Sequence, residues 1–147
     1  MVRLAPGESR RTDPLVGGWA TRDLAVAMLG DAGYTAIEDG PKVVAGVEPT
    51  LVATDPKGRR WYFEVVGGRT TNRPGAQRIE LLWRAIAKAA VVQAAEPASR
   101  FGVLTVGLPS AASGGAALDG VTGKGKPVRL VVDLLADDAL AQLRTAR

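Results

Sequence analysis

Hydrophobic and polar positions change period several times along the chain, and each change marks an element. Leu24, Ala27, Met28 and Leu29 recur at helical spacing within residues 18–32, and Gly33 can close that helix. Residues 34–38 read as a short strand, followed by an Asp39-Gly40-Pro41 turn. Residues 50–55 and 60–66 are rich in β-branched and aromatic side chains, with Pro56-Lys57-Gly58 as tight-turn material between them. That spacing predicts a hairpin, which Gly67-Gly68 ends. A long helix follows from Pro74 or Gly75 to Ala95. Proline suits its first turn, and Pro97 lies just beyond its end. At about 100° per residue, Ile79, Leu82, Trp83, Ile86 and Ala90 share an apolar face, and Gln77, Glu80, Arg84 and Lys88 form a polar stripe.

The remainder is shorter-ranged. Residues 101–106 (FGVLTV) are a nearly continuous apolar run, as a strand covered on both faces requires. Residues 109–127 are rich in Gly and Ser, with a helical turn predicted around 111–118. A last strand is expected over 128–133 and a closing helix over 137–144. Residues 1–17 carry Pro6, Gly7 and Pro14 without periodicity and read as an N-terminal arm. The rest, 18–147, is one α/β domain without repeats or linkers. Its simplest packing is a mixed central β-sheet with helices on both faces.

Composition changes this picture mainly by exclusion. The 147 residues include neither cysteine nor histidine, which removes disulfides, thiol catalysis, histidine-dependent triads and zinc sites of the Cys/His type. A metal would have to sit on oxygen ligands, which suits Mg²⁺ or Mn²⁺. Acid–base work would fall to carboxylates, lysines or bound water. The net charge of +4 permits contact with nucleic acid, although the excess is small and spread along the chain. No apolar run is long enough to span a bilayer, and residues 1–14 lack the apolar core of a signal peptide, so a cytoplasmic protein is expected.

Strand alternation puts Arg60, Tyr62, Glu64 and Val66 on one face and Trp61, Phe63 and Val65 on the other, with the aromatic-heavy second face expected in the core. Glu64 then stands near the end of the second hairpin strand. On the first strand Glu48, Thr50, Val52 and Thr54 share a face, with Asp55 opposite.

A helix, a strand, a hairpin with an acidic second strand, a long helix and another strand, in that order, resemble the core of the PD-(D/E)xK superfamily of restriction-endonuclease-like proteins. The resemblance covers roughly residues 18–107. In that family a proline-preceded Asp opens one hairpin strand, and the next strand carries Asp or Glu, one residue, then Lys. The two acids hold Mg²⁺ and the lysine orients or activates water. Here Glu48-Pro49-Thr50 keeps the proline but has Thr50 for the Asp, and Glu64-Val65-Val66 keeps the acid but has Val66 for the lysine. Gln77 is placed like a helix glutamine known in some branches.

The resemblance therefore implies a restriction-endonuclease-like fold with a degraded catalytic motif, of which Glu64 is the remnant. A single carboxylate binds Mg²⁺ poorly. Rescue would need Glu48 beside Glu64 as a metal ligand, and Lys88 or Arg69 in place of the lysine. Lys88 stands about three turns from the helix start, which argues against that role. The expected function is DNA binding, or service as a non-catalytic subunit of a nucleic-acid-processing or defence assembly, with no cofactor. The expected surface is Arg69, Thr70, Thr71, Asn72 and Arg73 before the long helix, continued by Gln77, Arg84 and Lys88. Two alternatives stay open. One is an active Mg²⁺-dependent endonuclease with a rearranged site. The other is a protein-interaction module, with a protein partner or a second copy docking on the Ala-rich helix. Lys57-Gly58-Arg59-Arg60 is a further basic cluster, of the kind that many hairpin tips carry. Gly123-Lys124-Gly125-Lys126 lacks the spacing of a phosphate loop and reads as a turn.

Overall fold

A computed structural model of the protein describes residues 21–40, 46–66, 74–106 and 115–146, with the side chains of 74–79 and 115 outside that description. The elements in chain order are α1 (Thr21–Asp31), β1 (Thr35–Asp39), β2 (Leu51–Thr54), β3 (Arg60–Val66), α2 (Pro74–Ala95), β4 (Arg100–Thr105), α3 (Gly115–Gly120), β5 (Leu130–Asp133) and α4 (Ala139–Thr145). The arm over residues 1–17 lies outside the described residues.

The five strands form one mixed sheet in the order β1-β2-β3-β4-β5. β1, β2 and β3 are an antiparallel meander, and β4 and β5 continue it in parallel. Local chemistry explains the meander. Gly58 N–H bonds to the Asp55 carbonyl (2.9 Å), Asp55 N–H to the Arg59 carbonyl (2.9 Å), and Gly58 has φ 81°. Pro56 inside such a turn and glycine at its left-handed position are what a three-residue hairpin loop demands. Parallel neighbours cannot be joined by a tight turn, so β3 reaches β4 through α2, and the β4–β5 connection contains α3. β1 is an exposed edge whose register shifts between Thr35 and Glu38, where Ala36 has φ 51°. Such a bulge twists an edge away from further pairing.

Helices cover both faces. On one side α1 and α4 enclose Leu24, Met28, Leu29, Tyr34, Trp61, Phe63, Leu104, Val132 and Leu143. The Trp61 and Phe63 rings stack at 5.4 Å, Tyr34 meets both edge-on, and its hydroxyl donates to the Leu143 carbonyl (3.1 Å). Gly102 stands across from Phe63, and a Cβ there would lie 2.8 Å from the ring. A glycine in mid-strand is thus required by packing.

On the other side α2 packs Ala85, Ala89 and Val92 against Tyr62, Val66, Phe101, Val103 and Val128. This corrects the predicted apolar face of the long helix. Leu82, Ala85, Ala89 and Val92 are buried, whereas Trp83 is 52% exposed and Ala90 is exposed. Small side chains let the helix approach the sheet closely, and the bulky indole has no room there. The side chain of Ile79 lies outside the described residues. Two boundaries also differ. The helix expected to end at 118 continues to Gly120, with 111–114 outside the described residues, and the last strand begins at Leu130, because residues 121–128 close a turn on themselves through Thr122 and Val128.

Candidate functional site

Both faces of β3 are covered, so Glu64 is a buried carboxylate at 8% exposure, not a half-solvated strand residue. Burial of a charge is tolerated only when it is paired and hydrogen-bonded. The β2–β3 register runs Leu51↔Phe63, Val52↔Tyr62 and onward, and its continuation sets Thr50 directly across from Glu64. Thr50 uses both its donors there: its backbone N–H (3.0 Å) and its hydroxyl (3.1 Å) bond to Glu64 Oε1. The same hydroxyl oxygen accepts the Val65 N–H at 3.1 Å, which locks its orientation. The second carboxylate oxygen, Oε2, accepts from Lys88 Nζ at 2.7 Å, and Nζ also donates to the Glu48 carbonyl at 2.9 Å.

Counting turns along the helix puts Lys88 too far from its start to reach this point, yet it does reach it. Helix α2 has 22 residues, about 33 Å at 1.5 Å each, whereas the seven residues of β3 span about 23 Å. A helix longer than its strand lays its middle, not its first turn, over the strand's acidic residue. The C-terminal end is tied down where Glu96, just after α2, accepts the Tyr62 hydroxyl (3.0 Å). Lys88 precedes buried Ala89, so its stem runs along the close helix–sheet contact with its charge at the border, 25% exposed. Its position flanking the Ala85/Ala89 stripe is the one signal in the sequence that could have placed it.

The other expected residues fare differently. Glu48 is exposed, and what it contributes at Glu64 is its backbone carbonyl, through Lys88. Among the described residues no group of three or more acidic, His or Cys side chains gathers. Asp55 is buried at the far end of the hairpin. Its Oδ1 accepts the N–H groups of Lys57 (2.9 Å) and Arg59 (3.0 Å), and its Oδ2 accepts the Trp61 indole N–H (3.0 Å). Burial alone would raise its pKa, but these donors outweigh it and hold the carboxyl below its ordinary value. Asp55 organises the turn. Arg69, Thr70, Thr71, Asn72 and Arg73 lie outside the described residues, as does the side chain of Gln77. Arg84 is exposed on α2.

The donor set at Glu64 does not suit a divalent cation as it stands. One carboxylate is present, both its oxygens are engaged, and an incoming ion would have to displace an ammonium group 2.7 Å away. What the arrangement does is neutralise a buried acid and clamp α2 to β3 and to the segment leading into β2. The fold and this contact together define a mixed α/β domain with a buried acid–lysine pair. No family model, curated protein or solved structure matches the chain. No helix among the described residues is long and apolar enough to cross a membrane.

Proposed function

We propose that this chain is a nuclease-like domain of the PD-(D/E)xK type that has lost one of its two metal-holding carboxylates, and that it holds DNA without cutting it. On this reading it acts alone or as the non-catalytic subunit of a nucleic-acid-processing assembly. The observation that carries the reading is the position of Thr50. It follows a proline, stands across from Glu64, and turns two donors toward it. An aspartate at that position would set a second carboxylate against the first, while threonine makes the pocket self-contained. The meander of β1 to β3 followed by α2 and a parallel β4 supports the same reading.

The test restores the missing acid. Thr50→Asp is expected to gain Mg²⁺ or Mn²⁺ binding by calorimetry, and Glu64→Gln in that background to abolish the gain. The wild type is expected to bind a 20-base-pair duplex in a salt-dependent manner without cleaving it. A folded Thr50→Asp protein with no divalent-ion affinity sinks the nuclease ancestry, and no DNA binding at low salt sinks the nucleic-acid half.

One contact favours a second reading, an active metal-dependent endonuclease with a rearranged site. Lys88 Nζ stands 2.7 Å from Glu64, where a lysine from the helix could serve in place of the one that Val66 replaces. Mg²⁺-dependent cleavage by the wild type that disappears in Glu64→Ala would establish this reading over the first.

A further inference from the structure

The three parallel strands β3, β4 and β5 lie side by side, and each begins at an arginine. Arg59 immediately precedes β3, Arg100 opens β4, and Arg129 immediately precedes β5, with its N–H on the Phe101 carbonyl (2.7 Å). These residues are remote in sequence, and only the sheet gathers them. Neighbouring strands are about 4.8 Å apart, so the row spans about 10 Å.

Arg100 is fixed in place. Its guanidinium lies 5.7 Å from the centre of the Trp61 ring, and Nη1 donates to the Ala146 carbonyl at 3.2 Å. Its pKa is lowered, first by burial and then by the positive charges of Arg129 and Arg59, with Asp55 and Tyr34 opposing. Among the described residues the side chains of Arg59 and Arg129 make no hydrogen bond or close ion pair, although the charge of Asp55 attracts Arg59. The nearby acids are engaged internally: Asp55 holds the hairpin turn and Trp61, and Glu96 accepts from Tyr62 and Ser99. Lys124 and Lys126 are exposed in the turn before β5, which Gln93 ties to the end of α2 (3.2 Å to the Gly125 carbonyl).

We propose that this end of the sheet, around Arg59, Arg100 and Arg129, is a docking surface for the phosphate backbone of duplex DNA. It lies at the opposite end of β3 from Glu64. Guanidinium forks match phosphate oxygens two at a time. A duplex carries one phosphate per about 1.7 Å of axis, so a row of about 10 Å meets several. An anion would also relieve the repulsion that Arg100 feels from Arg129 and Arg59. The Lys57-Gly58-Arg59-Arg60 cluster, ordinary as a hairpin tip, becomes part of a surface once Arg100 and Arg129 stand beside it. The proposal rests on the DNA-binding half of the reading above and is independent of the metal centre.

The test is fluorescence anisotropy with a 20-base-pair duplex over a KCl series, using Arg129→Gln, Arg59→Gln/Arg129→Gln and, as a charge control, Arg22→Gln. Arg22 pairs with Asp23 and with Asp39 at the other end of the sheet. The double variant is expected to bind at least tenfold more weakly at low salt. The slope of log K against log salt should shrink by about 0.9 for each phosphate that is no longer neutralised, roughly 1 in the single variant and 2 in the double. Arg22→Gln should leave the slope unchanged. A folded double variant that binds like the wild type overturns the proposal, and so does an equal loss in Arg22→Gln. Weakened binding in a variant at Arg84 alone would then leave DNA binding standing with its surface elsewhere. Inorganic pyrophosphate bound as tightly as the duplex would identify a small phosphate ligand and overturn the backbone assignment.

Discussion

Replacing Lys88 by Met removes the ammonium that faces Glu64 and leaves a stem of similar length over the sheet. Breaking a buried ion pair from one side costs about 3–5 kcal/mol, because the remaining charge stays buried without its partner. Two features reduce the figure here. The Lys88 side chain is 25% exposed, so water can reach part of the vacated space, and Thr50 keeps its N–H and hydroxyl on Oε1. The expected loss is about 2–3 kcal/mol, or roughly 5–10 °C in Tm for a chain of this size. Glu64→Met removes the charge itself but strands the Thr50 N–H, at about 1–2 kcal/mol. Once the carboxylate is gone, removing Lys88 should cost little more, so the double variant should match Glu64→Met and the coupling energy should be about 2 kcal/mol. Urea unfolding followed by tryptophan fluorescence measures all four proteins, with buried Trp61 as a reporter of the sheet. If Lys88→Met lies within about 0.5 kcal/mol of wild type and the two changes are additive, the pair is a solvated surface contact and does not close the Glu64 pocket.

Further outcomes follow from the packing. Asp55→Asn should destabilise by about 1–3 kcal/mol, since its amide can accept the two turn N–H groups but then turns a donor toward the Trp61 indole. The folded-state pKa of Asp55 lies below its unfolded value of 3.8, so its stabilisation is complete above that pH and is lost as pH falls through the lower, folded value. Wild type and Asp55→Asn should therefore converge in stability in acid, and parallel pH titrations of Tm that stay equally far apart would refute the assignment. Gly102→Ala sets a methyl 2.8 Å from the Phe63 ring, which is fully buried and stacked on Trp61, so overpacking should cost about 1–3 kcal/mol in urea unfolding. An unchanged midpoint would mean the stack can shift. Thr50→Asp and Arg59→Gln/Arg129→Gln, described above, test the pocket and the cationic end of the sheet separately.

Much of the architecture is determined by short-range chemistry that the chain carries on its face. The β2–β3 hairpin follows from Asp55-Pro56-Lys57-Gly58 between two runs of β-branched and aromatic residues, because a turn needs only neighbours to form. The long helix between Pro74 and Pro97, and a buried β4, are legible for the same reason. Which side of that helix faces the sheet is not. Periodicity ranks Trp83 above Ala85 as a core residue, but the approach distance between helix and sheet favours the smaller side chain. Glu64 is visible as a lone carboxylate near a strand end, yet its burial depends on α2 covering a face that the strand pattern leaves open. Its pairing with Lys88 and the row of Arg59, Arg100 and Arg129 join residues that no local pattern connects. Strand order and helix length bring them together, and only the tertiary structure decides those.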